Sequence, residues 1–137
     1  MPRLLRDSPL TSIWEGSGNV AALDVLRAMT SEPAGLPAFL TEVEVAADAD
    51  RHLDAHVARL KERAAGLAEG GSDPQWDARG MVEDLGLALQ ASLLVRNAPP
   101  AVADTFCAAR LRAGGRAFGT LPHGVEAGAI IDRALAA

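Results

Sequence analysis

The chain has 137 residues, 49% apolar and 23% charged, a balance that fits one compact domain and gives no sign of intrinsic disorder. Aromatic content is only 4%, with no tyrosine, so a core must be built mainly from Ala, Leu and Val, which favours close helix packing over a β-sandwich. The net charge of -5 sets the surface against phosphate backbones and anionic membranes, and the single cysteine, Cys107, rules out an intramolecular disulfide.

Residues 1–12 include Pro2 and Pro9 and read as irregular. From Asn19 to Met29 the pattern turns helical. Asn19 follows Gly18 as an N-cap, and Ala22, Val25, Leu26 and Met29 keep the i, i+3, i+4, i+7 spacing of a buried stripe. Val20 and Leu23 form a second apolar edge, from which Arg27 projects, a placement that needs a partner.

Ser31 to Gly35 reads as a turn, and Pro37 then lies in the first turn of a long helix reaching about Leu67. With Val43 as heptad position a, the a and d sites are Val43, Ala46, Asp50, Leu53, Val57, Leu60, Ala64 and Leu67. Only Asp50 breaks the stripe. A carboxylate there marks either a place where the helix leaves its neighbour or a buried group that must be paired.

Gly70 to Pro74 is a loop by composition, and the next helix, from about Trp76 to Val95, offers Met81, Val82, Leu85, Leu89 and Leu93 as its apolar residues. Asn97-Ala98-Pro99-Pro100 starts another helix, with an inner face of Val102, Phe106, Cys107 and Leu111, ended by Gly114-Gly115. The stretch FGTLPHG, residues 118–124, is too rich in Gly and Pro for a long element, and a last helix runs from Val125 to Leu135 with Ile130, Ile131 and Leu135. The sum is an all-α, up-down helical bundle without a sheet.

Candidate chemistry concentrates near the start. Ser17-Gly18-Asn19 precedes a helix whose first N–H groups are unpaired and partially positive, so the turn serves either as a plain cap or as a seat for an anion such as a pyrophosphate. Glu15 is either a complement to the helix dipole or, facing an apolar pocket, a proton-abstracting base. His52 and His56 share one helix at i, i+4, but no third ligand is evident and charged neighbours make them surface residues, so no metal site is expected. Arg110, Arg112 and Arg116 gather where cations favour the end of a helix. Cys107 is expected to be a buried, inert thiol.

The segment Arg3 to Met29, RLLRDSPLTSIWEGSGNVAALDVLRAM, resembles the end of the catalytic region in acyl-CoA dehydrogenases, and most closely their adaptive-response, AidB-like branch. The resemblance rests on an aromatic-Glu-Gly-small turn, Trp14 to Ser17, with an Arg twelve residues beyond the Glu, at Arg27. It implies Glu15 as the base that removes a proton alpha to a thioester carbonyl while a hydride passes to FAD. It further implies Gly16 against the acyl thioester, Ser17 and Asn19 near the flavin, and Arg27 in the inner wall of the site.

Later stretches, LLVRNAPPAVADTFCAARL and RAFGTLPHGV, look like the additional C-terminal helices of that branch. Residues 1–30 would then be the end of the dehydrogenase helical region with its active-site turn, and residues 36–137 the additional bundle. Such enzymes need further domains to enclose flavin and substrate, so the expectation is a fragment that is inactive alone. A helical interaction or oligomerisation module is the alternative. A homo-oligomer is expected, with DNA an alternative partner against which the net charge argues. No run of about 18 apolar residues predicts a membrane span, and the charges of MPRLLRDSPL do not suit a secretory signal, so the expected address is cytoplasmic.

Overall fold

The computed structural model describes residue 6 and residues 18–70, 74–112 and 126–135. In chain order these form α1 (Gly18–Ser31), α2 (Gly35–Val43), a 3-10 turn (Glu44–Ala46), α3 (Arg51–Ala68), α4 (Pro74–Asn97), α5 (Pro100–Arg110) and α6 (Ala127–Leu135). No strand occurs among the described residues, and the fold is the all-α helical bundle that the periodicity predicts.

Helix α4 is the axis of the arrangement. It meets α1, α2, the 3-10 turn, α3 and α5, with its broadest contact on α1. A helix approached from so many sides needs apolar or small residues around most of its circumference rather than along one stripe. Its buried positions are therefore Ala78, Met81, Ala88, Ala91 and Ser92, small side chains that let neighbouring backbones come close. Of the predicted apolar set only Met81 is fully buried. Val82, Leu85 and Leu89 are half-buried and Leu93 is exposed, because alanines occupy the closest approaches.

The long helix expected from Pro37 to Leu67 is two helices. α2 ends at Val43 and passes into the 3-10 turn. The backbone then extends at Ala47 (ψ 145°) and becomes left-handed at Asp48 (φ 65°), a conformation that Asp tolerates better than most residues. Asp50, extended at φ -146°, caps α3: its carboxylate accepts from the backbone N–H of His52 at 2.7 Å and of Leu53 at 2.9 Å. The residue that interrupts the heptad stripe is thus a helix start. The apolar pattern on either side holds, since Val43, Ala46, Leu53, Val57 and Leu60 are all buried in one core with Met81, Ala88, Ala91, Cys107 and Leu111.

Other boundaries shift by a residue or two, the usual uncertainty of helix ends. α1 begins at Gly18, so Asn19 lies within its first turn rather than at the cap. Along α1, Ala22 is buried and Val25, Leu26 and Met29 are half-buried, as the spacing requires. α4 opens on Pro74, which tolerates a first helical turn because its missing N–H would be unpaired there. Pro100 does the same for α5, whose buried side includes Ala103, Thr105 and Cys107 while Val102 and Phe106 are half-buried. α6 lies on α5, with no fully buried residue and with Ile131 and Leu135 exposed. The readings for Gly114-Gly115 and for residues 118–124 fall outside the described residues.

Replacing Asp50 with alanine removes the side-chain cap of α3 and is expected to cost about 1–2 kcal/mol in urea denaturation. Asp50→Asn, which caps equally well, is expected to recover most of that loss. Equal stability of both variants and the parent would show that the cap carries no weight.

Candidate functional site

The structure places the sequence-predicted site residues unevenly. Glu15, Gly16 and Ser17 lie outside the described residues, as does the Asn19 side chain. Arg27 is described. Its guanidinium is 80% exposed and forms an i, i+3 ion pair with Asp24, Nη1 to Oδ1 at 3.2 Å, which supplies the partner its position on the second apolar edge demanded. A solvated pair of this kind contributes little to stability.

The beginning of α1 is bordered by α4. The first turn of α1 has no acidic residue. The Arg79 guanidinium stands close to Gly18, 3.6 Å from where a Cβ on that glycine would be. On the same side Ala22, Leu23, Gln75, Trp76, Ala78 and Arg79 line an open groove of about 420 Å³. Trp76 is 88% exposed, and Val20 and Leu23 are also exposed, so the second apolar edge of α1 and the first turn of α4 together present apolar surface.

Polar contacts between helices set the bundle. The Arg63 guanidinium of α3 spans two carboxylates of α4, Nη1 to Asp84 Oδ2 at 2.7 Å and Nη2 to Asp77 Oδ1 at 3.1 Å. Desolvation works against its charge, but hydrogen bonds and attraction from Asp84 and Asp77 outweigh this and hold the group above its ordinary pKa. Between the two carboxylates sits Gly80. A Cβ there would lie 2.9 Å from Nη1 and 3.0 Å from Cζ of Arg63, so the absent side chain is the notch that admits the guanidinium.

His56 corrects the sequence reading. It is buried on the α3 side facing α4, not on the surface, and its Nε2 donates to the Asp84 carbonyl at 2.9 Å. A carbonyl only accepts, so this nitrogen carries the proton. His52, one turn earlier, is half-buried. No group of three or more His, Cys, Asp or Glu side chains able to hold a metal occurs among the described residues.

At the far end of the bundle the cations act locally. Arg59 of α3 donates through Nη2 to the Leu111 carbonyl at 2.8 Å, placing a positive charge at the C-terminal end of α5 beside Arg110 in its last turn. Arg116 lies outside the described residues. Cys107 is fully buried, and its pKa is pushed up to about 12, first by burial and then by the Asp50 carboxylate, which also hydrogen-bonds the thiol. Asp50 therefore links the start of α3 to α5 as well as capping its own helix. Arg96 likewise ties α4 to Glu42 of α2 at 2.6 Å, and Lys61 of α3 pairs with Glu44 of the 3-10 turn. The cross-helix pairs leave no mark in the periodicity of any single helix. The only available signal was the placement of Asp77, Gly80 and Asp84 on one face of α4.

Comparison of the chain with known proteins yields partial matches only. No protein-family model matches it, and no solved structure does. Among curated proteins, the one described as acyl-CoA dehydrogenase AidB of Escherichia coli (strain K12) is 46% identical over 71 residues, which is 50% of this chain and 13% of that protein. Acyl-CoA dehydrogenase family member 11 of Caenorhabditis elegans is 50% identical over 44 residues, 32% of this chain and 7% of that protein. The chain thus carries an acyl-CoA dehydrogenase-like region. The matches span only a small part of either relative.

Two measurements probe these contacts. Gly86→Ala, where a Cβ meets nothing within 4 Å, is expected to stabilise α4 by up to about 1 kcal/mol. Gly80→Ala is expected to gain less or to destabilise, and the gain should return in an Arg63→Met background, as a double-mutant cycle by urea denaturation would report.

For Cys107 the raised folded pKa means that the neutral thiol is favoured by folding. Its contribution is complete below the ordinary value of 9.0 and is lost as the pH climbs towards about 12. Cys107→Ala is expected to show a shallower fall in stability across that window, and the folded protein to react with a thiol reagent only when denaturant is added.

Proposed function

We propose that this chain is the C-terminal helical part of an FAD-dependent acyl-CoA dehydrogenase-like oxidoreductase that oxidises a CH–CH bond of an acyl thioester, acting in the cytoplasm. The observation that carries the proposal is the likeness to two acyl-CoA dehydrogenases together with the sequence Trp14-Glu15-Gly16-Ser17 and the later Arg27. In this reading residues 1–30 close the catalytic helical region and residues 36–137 form the additional bundle.

Two features support a seat for the diphosphate of FAD at the start of α1: its first turn holds no carboxylate, and the Arg79 guanidinium stands beside Gly18. The described residues offer one wall only, since the neighbouring face of α1 and α4 is open to water. Ser17 and Asn19 would hold the flavin and Gly16 would lie along the thioester. Bound FAD supplies the hydride acceptor. Glu15 takes the proton alpha to the thioester carbonyl, a task that requires an apolar enclosure to raise its pKa towards neutrality. Arg27 borders the site from the second apolar edge of α1. In this reading further domains supply that enclosure, and the 137 residues are inactive by themselves.

Purified chain incubated with FAD and an acyl-CoA, then desalted, is expected to retain no flavin spectrum and to show no turnover. In a polypeptide that includes flavin-binding domains, Glu15→Gln is expected to retain the flavin while losing about 10²–10⁴-fold in turnover. Flavin retention with turnover by the 137 residues would refute the need for further domains, and full activity of the Glu15→Gln protein would remove the proposed base.

A second reading, a helical oligomerisation module, is favoured by the exposed apolar face of Val20, Leu23 and Trp76. Sedimentation mass measured at several concentrations is expected to reveal a concentration-dependent homo-oligomer that Trp76→Glu weakens. An unchanged mass in the variant would count against this face as the contact.

A further inference from the structure

We draw no further inference here: the strongest candidate, the open apolar groove of about 410 Å³ where Leu26, Met29, Leu36 and Leu67 bring the ends of α1, α2 and α3 together, carries nothing because no feature of the structure shows what fills it.

Discussion

The crowding of α4 is the constraint from which the rest of the molecule follows. Four helices and the 3-10 turn lean on one helix, so its surface must be smooth where backbones approach and polar only where a partner answers. Alanine at positions 78, 88 and 91 meets the first demand. The paired carboxylates Asp77 and Asp84, with the Gly80 notch between them, meet the second by receiving Arg63. Charge taken into a helix interface is tolerable only when it is matched, and here one guanidinium answers two acids.

The same constraint reaches α1. α1 packs most broadly on α4, with Ala22 of one and Ala78 of the other both buried. Small residues on both sides give a close approach, so α1 is held by the bundle rather than projecting from it. Val20, Leu23 and Trp76 present exposed apolar surface at this junction, and Val45, Leu93, Ile131 and Leu135 present more of it elsewhere. No described helix is long and apolar enough to cross a membrane.

Much of this was legible because burial follows periodicity. The stripe from Val43 to Leu60 enters the core almost residue for residue, although the helix carrying it is interrupted. A repeat of 3.5 residues records which side chains face inward, and two helices that face the same neighbour can keep it across a break. The warning lay in Asp48-Ala49-Asp50, two weak helix formers close together, the second of them well suited to cap a new helix. His56 misled for the converse reason. Its charged neighbours in the sequence occupy other faces of α3, and its own hydrogen-bond partner is a carbonyl 28 residues away.

Composition and spacing by themselves determined the all-α class, most of the helical segments and the burial of Cys107, because helix formation and apolar patterning are local properties that a single segment declares. They also supplied the acyl-CoA dehydrogenase likeness, a matter of residue order. Only the tertiary structure decided that Asp50 starts a helix and meets Cys107, that Arg63 spans Asp77 and Asp84, and that α4 is the helix on which the others rest. Those facts depend on which distant segments come within a few ångströms of each other, and no periodicity within one segment carries that information.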